Sequence, residues 1–142
     1  MKKKILMAAL LTIGLSLPFS ASAEEKPVKY EELPKSAQTF LTQHFSGWEI
    51  ADANVDEQDY EVNFKNGSKI EFDLQGNWEE INCKADCVPC EILPPAISEY
   101  VNTNHKDKKV VEAKRENKRH ELKLDNQTEL EFDQNNLLVA AE

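Results

Sequence analysis

The chain has three cysteines, Cys83, Cys87 and Cys90, and they stand close together near its middle. Cys87 and Cys90 have the C-x-x-C spacing of thiol-redox sites, just before a predicted helix whose N-terminus would lower a thiol pKa. The nearby negative charge of Glu91 would oppose this lowering of the thiol pKa. Three thiolates could also bind zinc, which would need a fourth ligand. In an oxidising compartment the spacing equally suits a structural disulfide plus one remaining thiol, by any of three pairings.

Acidic side chains recur on the predicted strands in both halves of the chain, where they alternate with apolar residues. Such a face is either simply solvated or able to recognise a cationic partner. Asp73 and Asp133 also lead into turns, where carboxylates accept hydrogen bonds from turn amides. An exposed tryptophan would add an anchor for a partner. The candidate binding face consists of Glu61, Glu71, Asp73, Trp78, Glu121, Glu129, Glu131 and Asp133.

No catalytic motif accompanies these residues. The chain contains no H-E-x-x-H, no G-x-S-x-G, no Walker loop and no glycine-rich nucleotide fingerprint. Of its histidines, His44 falls on the apolar face of a predicted helix, His105 in a loop, and His120 in an inward-facing strand position. We therefore expect no enzyme activity, no catalytic residue, no metal and no cofactor.

Residues 1–23 are typical of a secretory signal peptide. Three lysines precede the apolar run of residues 5–17, and small residues allow cleavage after Ala23. The run is too short to span a bilayer as a helix, which needs about 20 apolar residues. We expect a soluble protein that is periplasmic or secreted.

The charge balance is strongly acidic. Removal of the signal peptide takes away three of the 17 basic residues and none of the 26 acids, so the formal charge falls from −9 to −12. Binding to nucleic acid or to anionic lipid calls for basic patches. We expect no nucleic acid or membrane partner. The partner is unknown, with a periplasmic or extracellular protein as one option, and the oligomeric state is left open.

The elements that carry these residues come from an internal repeat. Residues 33–80 align without a gap on residues 93–140, with Leu-Pro and Glu-Phe-Asp repeated in place. Each copy opens with a three- and four-residue apolar period, which predicts a helix. Each continues with alternating apolar and polar residues, which predict strands, around Asn66-Gly67 and Asn126-Gln127 as hairpin turns.

The predicted fold is α+β. Two tandem helix-plus-antiparallel-strand repeats form one sheet of about eight strands with two helices on one face. The predicted segments are the signal peptide 1–23, an N-terminal linker 24–29, repeat one 30–82, a cysteine-containing connector 83–91 and repeat two 92–142. We expect the two repeats to share one core, because a unit of about 50 residues is marginal alone.

The Leu-Pro helix start and the run YEVNFKNGSKIEFDLQGNW resemble the PepSY-like family of small exported Bacteroidetes proteins. That resemblance covers nearly all of the chain beyond the signal peptide. It implies helices packed on a continuous antiparallel sheet, grouped with β-lactamase-inhibitor-protein-like folds, and it transfers no catalytic residue. Cys83 matches the family pattern, whereas Cys87 and Cys90 depart from it.

Two functions of different class follow from the sequence. One is a non-enzymatic binding or inhibitor-like module that uses the charged sheet face. The other is a thiol-redox or metal-handling protein centred on Cys87 and Cys90. Calcium binding on the acidic face is a third option, without a loop motif to support it.

Overall fold

The computed structural model describes residues 25–84, 86 and 88–142. The signal peptide predicted for residues 1–23, with its cleavage site after Ala23, lies outside these residues, as does Cys87. Among the described residues, no helix is long and apolar enough to span a bilayer.

One antiparallel sheet of nine strands dominates the fold, and its strand order follows the sequence. Together with two helices it confirms the α+β class. The expected number of about eight strands is corrected to nine, because part of the predicted linker 24–29 pairs with the sheet as β1. The strands are β1 Lys26–Pro27, β2 Ile50–Val55, β3 Asp59–Phe64, β4 Lys69–Asp73, β5 Trp78–Asn82, β6 Val110–Glu116, β7 Arg119–Leu124, β8 Glu129–Phe132 and β9 Leu138–Ala141.

Both helices begin directly after a proline. Helix α1 spans Lys35–His44 behind Pro34, and α2 spans Pro95–Asn104 behind Pro94. Proline suits the start of a helix because the first amides of a helix have no intrahelical acceptor. The Leu-Pro pairs thus mark the helix starts, as predicted. Short 3-10 turns precede the helices, at Tyr30–Glu32 and Cys90–Ile92.

The hairpin turns at corresponding positions of the two halves use the same chemistry. The side-chain oxygen of Asn66 accepts a hydrogen bond from the Ser68 amide at 2.9 Å, and that of Asn126 accepts one from the Thr128 amide at 3.1 Å. The residue after each asparagine has a positive φ, 91° in the first hairpin and 75° in the second. Bulges also recur, in β2 and β6 and again in β5 and β9.

The core contains a row of buried residues that runs across the sheet, each directly opposite the next. Each helix also packs an aromatic ring edge-on against a strand residue outside this row. Phe40 of α1 packs on Phe72 with 5.7 Å between ring centroids, and Tyr100 of α2 packs on Phe132 at 5.6 Å. Burial of each large apolar side chain contributes about 1.5 to 3 kcal/mol. The row consists of Ala53, Val62, Ile70, Ile81, Ala113, Leu122 and Leu130.

Candidate functional site

The alternate side chains of the same strands form a second row, which faces away from the buried one because side chains alternate along a strand. In this row Glu61 lies directly opposite Glu71, and Glu71 lies opposite Glu80. The row crosses from β5 to β6 and continues to β8. We call this surface the acidic face and define it by the members of the row: Glu61, Glu71, Glu80, Lys114, Glu121 and Glu131.

Like charges therefore stand directly opposite one another on the acidic face, an arrangement that lowers stability. Lys69 offsets part of it in the first half, with its Nζ 3.1 Å from a Glu71 carboxylate oxygen and 3.7 Å from one of Glu61. Although burial opposes its charged form, the surrounding carboxylates, with Glu71 foremost, hold the pKa of Lys69 above its usual value.

Two glutamates of the face are disfavoured as anions. Burial, together with the nearby Glu71 charge, raises the pKa of Glu80. Burial also raises the pKa of Glu61, and the carboxylates of Glu25 and Glu71 add to that effect against the attraction of Lys69. Both shifts show that the anionic form of these two glutamates is destabilised on the acidic face.

In the second half the acidic face borders a cavity of about 390 Å³, which we call the acidic hollow. Its lining includes five glutamates and two lysines. Arg119 lies 3.6 Å from Glu131, and Lys114 lies 3.9 Å from Glu112. The charged lining residues are Glu112, Lys114, Glu121, Lys123, Glu129, Glu131 and Glu142.

The structure brings four of the predicted face residues into one row, namely Glu61, Glu71, Glu121 and Glu131. Glu129 lies in the adjacent row, opposite Lys123, and lines the hollow. The sequence analysis missed Glu80, Glu112 and Glu142. Glu80 could have been found from Ile81, because an inward Ile81 places its neighbour on the opposite face. The bulge in β5 is what allows Trp78 to face the core as well.

The two aspartates serve the turns. The Asp73 side chain accepts hydrogen bonds from the amides of Gln75 and Asn77, at 3.0 and 2.9 Å. Asp133 repeats this arrangement in the second half, with amides at 2.8 and 3.0 Å. Their carboxylates are therefore engaged in local structure and are not aligned with the acidic row.

The prediction of Trp78 as an exposed anchor is wrong. Its side chain is 4% exposed and lies opposite Phe72, on the core side of the sheet. The guanidinium of Arg115 covers the ring, 4.3 Å from its centroid. His120 lies nearby, with 6.3 Å between ring centroids.

His120 is buried, in the inward position that the sequence indicates. Among the described residues, its Nδ1 atom has no hydrogen-bond partner. Burial and the Arg115 charge lower the pKa of His120, which keeps the ring neutral. A neutral imidazole held in the core fits a packing role.

The cysteine cluster is only partly described. Cys83 is buried, and Cys90 is exposed. No disulfide joins these two residues, and the pairings that involve Cys87 stay predictions. Within residues 25–84, 86 and 88–142, no group of three or more His, Cys, Asp or Glu side chains is arranged to hold a metal ion.

Comparison with known proteins gives one family and several structures. The family model described as "Putative beta-lactamase-inhibitor-like, PepSY-like" matches twice, over residues 8–66 and 57–139. No curated protein shows a significant match.

Three solved structures resemble this chain. A protein of Bacteroides thetaiotaomicron, described as a "putative calcium-regulated periplasmic protein", has 44% identity and a TM-score of 0.80, with 83% of this chain and 96% of that chain covered. A Bacteroides vulgatus "putative periplasmic protein" of the DUF2874 family has 38% identity and a TM-score of 0.80, with 86% and 99% covered. Another periplasmic protein of B. vulgatus, of unknown function, has 30% identity and a TM-score of 0.78, with 84% and 99% covered.

Proposed function

Because this chain belongs to the PepSY-like family, we propose that it is an exported, non-enzymatic binding module that recognises a cationic partner through its acidic face. Its two tandem copies would place both helices on the apolar side of the sheet and leave the acidic face open. The predicted signal peptide and the periplasmic relatives support an action in the periplasm.

The row of opposed glutamates is the observation that carries this proposal. Each directly opposed pair of like charges costs up to about 1 kcal/mol relative to a neutral pair. Lysine or arginine side chains of a partner would relieve the repulsion, so the charge pattern supports a basic protein surface or peptide.

Capture from a periplasmic extract tests the proposal. The variant Glu71→Gln/Glu131→Gln keeps side-chain shape while it removes two charges from the acidic face. We expect the parent protein to capture a partner and the variant to lose it. Capture by the parent should also weaken as salt is raised, because screening weakens exposed charge pairs.

The control is Glu57→Gln/Glu99→Gln, which removes two exposed carboxylates from the β2–β3 turn and from α2. It makes the same change in net charge away from the acidic face and should capture the partner as the parent does. If both double variants lost the partner to the same extent, net charge alone would explain the capture and the proposal would fail. If both captured it as the parent does, the acidic face would not be the binding surface and the proposal would also fail.

Calcium-dependent regulation is a second candidate, favoured by the description of the 44% identical relative. Carboxylate oxygens are the ligands that calcium prefers. Since the described side chains form no ready metal-binding group, calcium would have to draw carboxylates together. A melting temperature that rises with calcium but not with magnesium would support this candidate, because a ligand that binds the folded state preferentially stabilises it. An unchanged melt would remove it.

A further inference from the structure

We propose that the outer edge of β9 accepts an extended peptide strand, whose basic side chains reach into the acidic hollow. This inference rests on the proposed function and specifies how a cationic partner would bind. It places the contact at one end of the sheet rather than across the whole acidic face.

The first support is the hydrogen-bonding pattern of β9. Glu142, just after the strand, exchanges both backbone hydrogen bonds with Glu129 of β8, each 2.8 Å long. In an antiparallel ladder the preceding residue points its backbone groups to the other side. The N–H and C=O of Ala141 therefore point outward, and no strand of the described residues pairs with that side.

The second support is the contrast between the two ends of the sheet. At the opposite end the edge strand is β1, which has only two residues, Lys26 and Pro27. Lysine and proline are residues that protect edge strands from pairing, since proline lacks an N–H. The four residues of β9, Leu138–Ala141, include neither. Although β9 is short and carries a bulge at Val139, its four residues bear no charge that would repel a pairing strand.

The third support is exposed apolar surface at the same edge. Leu137 and Val139 are 62% and 50% exposed. A pairing strand would cover such side chains with its own apolar residues, as in other complexes in which a peptide extends a sheet.

Charge complementarity distinguishes a basic peptide from a second copy of this chain as the partner of the β9 edge. Ala140 of β9 lines the acidic hollow, together with Glu129 and Glu142. Alternate residues of an added strand would lie beside them on the same face, where lysine or arginine would meet these carboxylates. No salt bridge within the described residues involves Glu121, Glu129 or Glu142. A second copy of this chain would bring its own glutamates to the seam, and we therefore assign the edge to a basic, extended peptide.

The test uses a fluorescent synthetic peptide in which lysine alternates with valine. We expect it to bind the full-length mature protein and to slow amide hydrogen exchange at Ala141. A matched peptide that alternates glutamate with valine should not bind. Equal binding of the two peptides, or no protection at Ala141, would overturn the proposal.

Two variants locate the contact. Ala141→Pro removes an outward N–H without breaking a bond to β8. It should weaken binding about tenfold, because the peptide loses the hydrogen bond to this N–H and the proline ring occupies the edge where the peptide would pair. Ala141→Ser keeps the N–H and should bind as the parent does. Glu129→Gln/Glu142→Gln, which leaves the backbone pairing intact, should weaken binding by a similar factor.

The remaining outcomes separate this inference from the proposed function. Binding that survives Ala141→Pro but is lost in Glu71→Gln/Glu131→Gln refutes the edge and supports the acidic face. Binding that survives both changes refutes both. A concentration-dependent dimer of the parent, measured by sedimentation and abolished by Ala141→Pro, would assign the edge to a second copy and refute the peptide.

Discussion

The Nε atom of Arg115 donates a hydrogen bond of 2.7 Å to the carbonyl oxygen of Trp78, while its guanidinium lies over the indole ring. This contact joins β6 to β5, where only three residue pairs are in register. One side chain thus extends the pairing between the two halves of the sheet beyond the backbone ladder.

We expect Arg115→Ala to lower the free energy of unfolding by about 2 to 3 kcal/mol, because it removes the cation–π contact and leaves a partly buried carbonyl without its donor. Arg115→Lys should recover only part of this loss, since lysine lacks the planar guanidinium. Urea denaturation gives the values. Lys106→Ala, an exposed change in the loop before β6, is the control and should stay within about 0.5 kcal/mol of the parent. A similar loss in the control would contradict the role of Arg115.

His120 should make the protein sensitive to mild acid. Its pKa lies below the ordinary 6.5 because of burial and the Arg115 charge. At and below pH 6.5 the unfolded chain therefore binds more protons at this residue than the folded chain, and stability falls as the pH falls. His120→Phe should remove this dependence and stabilise the protein at pH 7 by about 1 kcal/mol, since it eliminates an unpartnered buried nitrogen. Thermal melts across pH 5 to 8, about the range in which a histidine titrates, would measure both effects. A pH slope in His120→Phe equal to that of the parent would contradict this role of His120.

Glu80 should act in the opposite direction. Its pKa is raised above 4.5 by burial and by Glu71, so its charge weakens the fold at neutral pH and the penalty disappears as acid protonates it. Glu80→Gln should stabilise the protein at pH 7 by up to about 1 kcal/mol. The gain should vanish as the pH falls through the folded-state pKa. Urea titrations at several pH values would test this. A gain of the same size in Glu57→Gln, in an exposed turn, would show that general net charge is responsible.

Gly76 should not tolerate a side chain. Its φ is +92°, and a Cβ there would meet Ser36 Oγ, Pro34 Cβ at 2.8 Å and the Ala37 amide nitrogen at 3.0 Å. Gly76→Ala should cost about 2 to 4 kcal/mol through strain and overpacking. Gly67→Ala is a matched control, because its φ is +91° but its nearest neighbour is Lys84 Cγ at an ordinary 3.5 Å. It should cost only about 1 kcal/mol. If Gly76→Ala and Gly67→Ala lost the same free energy of unfolding in a denaturant titration, the positive φ alone would account for the cost.

Much of the fold was predictable from local pattern. The alternation around Val62 and Leu122 indicates half-buried strands, and Asn66 and Asn126 mark hairpins because their side chains satisfy turn amides. These signals depend on neighbouring residues alone. The same alternation placed Glu61, Glu71, Glu121 and Glu131 on one face.

The rest depends on contacts between distant segments. The inward position of Trp78 follows from a bulge in β5 and from Arg115, which arrives from the next half of the chain. β1 is only two residues long and exists because β2 offers it an edge. The acidic hollow arises where β6 to β9 come together, so Glu112 and Glu142 gave no sequence signal of their common site.

The order of the strands in the sheet has a consequence for how the chain matures. In the part of the chain that the structure describes, every strand pairs only with the strands before and after it, and the longest step is from β5 across α2 to β6. Short-range pairing of this kind favours rapid folding. The sheet could therefore form one strand at a time, with each new strand pairing with the one that precedes it in the chain.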